Sequence, residues 1–190
     1  MVLGFLHTSG YILIRYWLRS CGIPAAIFVR VRAPLYTHAQ AIRDAGDKLY
    51  GLEQVPHMFA DRKSMRDVIR FLTPGHVVVM ALDESTKPSS GSYQINGQRI
   101  YLRDGAARLA SASQAILVPV WVRQKGFCRF EINFGSPVSD DLVRTADVRL
   151  ATQSLGQELW AAAQQDPEAI HWTVLETLFP EKIAPRQRWP

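Results

Sequence analysis

Two side chains in this sequence stand where a fold would place chemistry. Val77-Val78-Val79-Met80-Ala81-Leu82 is a continuous, largely β-branched apolar run that stops on the carboxylate of Asp83. Short apolar runs bounded by turn signals read as strands buried on both faces. An acid at the carboxyl end of such a strand lies where open α/β sheets keep their ligands. Asp83 also reads as a turn cap, its carboxylate bonded to the backbone amides that follow. His7 comes after the apolar lead of Val2, Leu3, Phe5 and Leu6 and before a run of small residues. Taken alone, a histidine in that setting reads as a cap or a core residue. Two cationic spots add to the inventory. Arg62-Lys63 lies just before an amphipathic pattern, where a helix N-terminus favours anions, and Arg103 precedes the Asp104-Gly105 turn. Each, taken singly, reads first as a solvated surface charge, and Arg108 as a residue packed along its stem.

The elements that would position these residues alternate between strand and helix. A first helix is expected from Ser9 to Ser20, closed by Gly22-Ile23-Pro24. A strand at Ala25 to Val31, a helix from Leu35 to Leu49 and a short strand at Gly51 to Val55 follow. Met65, Val68, Ile69 and Leu72 recur at helical spacing, which predicts an amphipathic helix over Arg62 to Leu72 ended by Thr73-Pro74-Gly75. After Asp83 comes a polar Gly/Ser/Pro-rich turn, then an alternating strand around Ile95 to Leu102. A small-residue helix from Asp104 to Ser113 and a buried strand from Ala115 to Val122 complete the central block. A strand at Phe127 to Phe134 and helices at Thr145 to Gln164 and Pro167 to Leu178 close the chain. This order predicts an α/β fold with a mixed, mainly parallel sheet flanked by helices. The hairpin-like step between Asp83 and Leu102 is the expected source of mixed pairing.

At 190 residues the chain is long enough for one domain with a substantial core, and 1–190 is taken as one. Its 47% apolar and 21% charged residues are ordinary for a globular protein. Cys21 and Cys128 lack metal or redox spacing and read as reduced, buried thiols of a cytosolic protein. The histidines His7, His38, His57, His76 and His171 form no ligand cluster, which argues against a metal. The longest apolar run, Ala115 to Val122, falls far short of the ~20 residues that span a bilayer. No basic n-region precedes the N-terminal apolar residues, so they do not read as a signal peptide. The net charge is +5. Arg15 and Arg19, one helical turn apart beside Tyr11, Leu13, Ile14, Trp17 and Leu18, suit a peripheral contact with anionic headgroups, or a plain surface helix packed on the sheet. The same charge would suit nucleic acid, but no zinc finger, aromatic RNA-binding pattern or Lys/Arg-dense helix accompanies it.

Several segments together resemble the lysophospholipid/lipid A acyltransferase family, in its lauroyl/myristoyl branch. They are Ala81-Leu82-Asp83, Asn96-Gly97, Gly105-Ala106-Ala107-Arg108-Leu109-Ala110 and Leu117-Val118-Pro119-Val120, in matching order and spacing. Asp166-Pro167-Glu168 with Trp172 is similar to an eroded form of that family's late helix start. The resemblance runs from about His7 to the C-terminal helix and implies a glycerolphosphate-acyltransferase-like fold. It implies transfer of a fatty acyl group from an acyl carrier protein or coenzyme A thioester to a lipid hydroxyl, with no other cofactor. It also implies a location on the cytoplasmic, inner face of the cell membrane. The family uses H-x4-D/E, a histidine base with an acid that orients it. His7 matches the base, whereas Ile12 stands in the acid's place. Asp83, expected at the same sheet edge, is the candidate substitute, as an orienting or a substrate-binding acid, and Arg62 and Arg103 are the expected phosphate contacts. Relatives carry hydrophobic and helical segments before the histidine, so a shortened form, a fragment or a mis-started reading frame is expected. The alternative is a catalytically degraded relative that binds lipid or a partner.

Overall fold

Strands covered on both faces need apolar side chains at consecutive positions. The sequence supplies them in β1 (Val2–Phe5), in β4 (Val77–Ala81) and in the first half of β7 (Leu117–Gly126). In the computed structural model, residues 1–8, 10–29, 57–59, 62–72, 75–83 and 91–170 are described, with single positions at 45, 48, 175, 178 and 179. At 29, 57–59 and 62–64 only the backbone is described.

The remaining strands are β2 (Ala25–Val29), β3 (His57–Phe59), β5 (Gly91–Ile95), β6 (Gln98–Leu102) and β8 (Arg129–Phe134). The helices are α1 (Ile12–Ser20), α2 (Arg62–Phe71), α3 (Gly105–Ser113), α4 (Asp140–Arg144) and α5 (Val148–Gln165). One six-stranded sheet has the order β3-β2-β4-β1-β7-β8. All its pairings are parallel except β7 with β8. The protein is thus α/β with a mixed, mainly parallel sheet flanked by helices.

Alternation along the strands divides the core into two layers. Leu3, Phe5, Val77, Val79, Val118 and Val120 pack with Ile14 and Leu18 of α1 on one face. Val2, Leu6, Val78, Met80, Leu82 and Leu117 pack on the other face with α3, α5 and the β5–β6 hairpin. Close approach on this second face needs small residues. A methyl at Gly4 would stand 2.7 Å from Leu155 Cδ2, and one at Gly156 2.8 Å from Ile95 Cδ1.

Several expectations are corrected. The stretch around Ile95 to Leu102 is two strands that turn at Asn96-Gly97, with φ of 49° and 75°, the Asn-Gly signature of a tight hairpin. This hairpin forms a separate two-stranded sheet, so the antiparallel member of the main sheet is β8. The helix expected from Thr145 begins at Val148, because Ala146 takes a left-handed φ of 58° and Asp147 caps the new start by accepting from Leu150 N at 3.1 Å. The segment from Pro167 opens as a 3-10 turn (Pro167–Ala169), and extended Ile170 then bridges Thr8. Cys21 and Cys128 are exposed, both lying in tight turns. Arg15 is 5% exposed, so it does not share an outward basic face with Arg19. Arg108 is mostly exposed and pairs with Asp104 at 2.7 Å rather than packing along its stem. The expected helix from Leu35 to Leu49 and strand from Gly51 to Val55 lie outside the described residues, apart from helical positions 45 and 48. No helix among the described residues is long and apolar enough to cross a membrane.

Candidate functional site

β1 and β4 are neighbours at the centre of the sheet, and their parallel register pairs Phe5 with Ala81. Leu82 N–H donates to the Phe5 carbonyl at 2.9 Å and extends that register past the end of both strands. Two residues further along each chain stand His7 and Asp83. Both leave the sheet at its carboxyl edge, the side where open α/β sheets keep their ligands.

Asp83 holds His7 twice. The His7 backbone N–H donates to Asp83 Oδ2 at 3.0 Å, and its Nδ1 lies 2.9 Å from Asp83 Oδ1. An ionised carboxylate only accepts hydrogen bonds, so the proton on this edge of the ring belongs to Nδ1 and the basic lone pair to Nε2. The Asp83 side chain is 1% exposed and that of His7 24%. Water therefore barely screens the carboxylate, which strengthens its attraction for an imidazolium. The backbone N–H compensates part of the cost of burying the charge. The amide that Asp83 is seen to receive is 76 residues away, and the amides that follow it, on which the turn-cap reading rests, lie outside the described residues.

Aromatic side chains fix the rest of the ring. Phe5 shares a strand face with His7 and meets it edge-on at 5.2 Å, and Tyr11 does so from the start of α1 at 4.7 Å. Phe5 and Tyr11 also stack on each other at 5.5 Å. Phe5 was legible only as part of an apolar lead. The signal for its role was the two-residue spacing to His7, which puts both on one side of a strand.

Ile12, in the place of the family's acid, is the first residue of α1. Arg103 is carried close to the pair by its backbone: its N–H donates to the Leu82 carbonyl at 2.8 Å, next to Asp83. Its Nε and Nη2 are shielded from solvent. Arg62 opens α2 just after β3, at the same sheet edge but two strands from β4, roughly 10 Å away at ordinary strand spacing. The structure thus joins His7 to Asp83, puts the Arg103 backbone beside them and sets Arg62 further along the edge. Among the described residues, no group of three or more His, Cys, Asp or Glu gathers as metal ligands.

Compared with known proteins, the chain matches no family model and no curated protein.

Proposed function

We propose that this protein transfers a fatty acyl group from an acyl carrier protein or coenzyme A thioester to a hydroxyl of a lipid acceptor, with His7 as general base. The observation that carries the reading is the double hydrogen bond from His7 to buried Asp83. In this reading Asp83, two residues beyond the end of β4, takes the role of the acid that the motif lacks at Ile12. His7 Nε2 takes the proton of the acceptor hydroxyl as that oxygen attacks the thioester carbonyl carbon. The tetrahedral intermediate collapses with cleavage of the C–S bond. The departing thiolate takes the proton from the imidazolium, and Asp83 stabilises that cation while it exists. Arg103 and Arg62 are the residues we assign to phosphate groups of donor or acceptor. The net charge of +5, with Arg19, Tyr11 and Tyr16 exposed on α1, supports a peripheral seat on the inner face of the cell membrane.

The test is acyl transfer from labelled acyl-carrier and coenzyme A thioesters to a panel of lysophospholipids and lipid A precursors. The wild type is expected to transfer label and His7→Ala to transfer none above background. Equal transfer by the two proteins, or none by folded wild type, overturns the proposal.

A further inference from the structure

On the opposite face of the sheet from the His7 ring, next to the same turn, lies a small cavity of about 10 Å³. Its wall is built by the end of β1, by β7, by the last turn of α5 and by the 3-10 turn that follows. Leu6, Leu159 and Ala169 form apolar parts of the wall, and Thr8, Trp121, Arg123 and Asp166 contribute its polar residues. Thr8 Oγ1, Trp121 Nε1 and Arg123 Nε are all buried without a hydrogen-bond partner among the described residues. Thr8 itself is only 9% exposed. Buried polar groups of a native fold are rarely left unpaired, and three around one cavity call for a common partner.

The chemistry of the wall specifies that partner. The indole N–H and the guanidinium Nε–H only donate, a threonine hydroxyl donates or accepts, and a carboxylate accepts. The partner must therefore accept from Trp121 and Arg123 and have hydrogens to offer Thr8 or Asp166. An anion would face the Asp166 carboxylate, and a cation would face Arg123. The volume holds about one oxygen atom. We propose that this cavity is a binding site for a single water molecule, held by Thr8, Trp121 and Arg123. Arg123 is already aimed by its second contact, in which Nη2 donates to Gln165 Oε1 of α5. The water ties α5 and the 3-10 turn to the residue that follows His7, on the side of the strand that Asp83 does not reach. It reinforces the backbone bridge between Thr8 and Ile170. The site is independent of the acyl-transfer reading.

The experiment is solution NMR of the full ¹⁵N-labelled chain, with the Trp121 indole N–H assigned by its loss in Trp121→Phe. A long-lived water is expected to give a direct cross-peak to that proton, separated from proton exchange by its opposite sign in the rotating frame. The cross-peak is expected to be lost in Thr8→Val, which keeps the side-chain shape and removes the hydroxyl. Absence of the cross-peak in folded wild type, or its survival unchanged in folded Thr8→Val, overturns the proposal.

Discussion

One carboxylate receives both the main-chain N–H and the ring of a single histidine, and so sets the position and the tautomer of His7 together. Phe5 and Tyr11 then limit how the ring tilts. Of the two, Tyr11 is the accessible handle, at 39% exposed against 4% for Phe5 in the core. Tyr11→Ala removes one edge of the clamp without opening the sheet. Because small misplacements of a catalytic group can cost on the order of 10²-fold, its kcat is expected to fall by about that factor, with KM nearly unchanged. Steady-state kinetics at saturating donor checks this, and an unchanged kcat removes Tyr11 from the positioning argument. The sequence alone made His7 and Asp83 visible for different reasons, the first through a motif and the second through its place after an apolar run. It held no sign of their register. That depends on β1 pairing directly with β4 across 76 residues, a choice made by tertiary packing.

At the scale of elements, the second face of the sheet depends on how closely α5 approaches its neighbours. Gly156 lies under Ile95 and Leu102 of the hairpin. A larger residue there improves intrinsic helix propensity by up to about 1 kcal/mol for Gly→Ala but meets both side chains. Gly156→Val is therefore expected to destabilise the protein by about 1–3 kcal/mol through overpacking, read as a lower urea midpoint. A gain in stability would mean that α5 and the hairpin are not in contact. Strand and helix types were largely legible because β-branched runs and 3.6-residue periods carry them. The Asn96-Gly97 turn went unread inside the strand expected around Ile95 to Leu102, although its residue pair carries the hairpin signal. The break at Ala146-Asp147 was not legible, because a left-handed alanine leaves no compositional mark. The exposure of Cys21 and Cys128 and the burial of Arg15 also escaped, since average preferences yield to where a turn or a helix face happens to lie.

For the whole molecule, the hairpin, α5 and the site-bearing sheet share one core layer, so a titration in that layer acts on global stability. Burial raises the Tyr93 phenol above its ordinary value, with the Thr152 hydroxyl partly opposing the shift. The unfolded chain therefore loses this proton first as pH rises. Between an unfolded phenol near 10 and the higher folded value the native state binds more protons, and stability falls with pH. The loss is expected to be smaller in Tyr93→Phe, with urea midpoints from pH 9 to 11 as the readout. Parallel slopes in the two proteins would place the phenol in water. The same layering brings His7 and Asp83 together at the carboxyl edge, and the most direct test of that pairing is acyl transfer by Asp83→Asn beside wild type. The amide can still accept from the His7 N–H, so the fold is retained, but it offers the ring no negative charge. A drop of about 10³- to 10⁴-fold in kcat at unchanged unfolding midpoint is expected. Wild-type turnover in a folded Asp83→Asn protein would contradict the account.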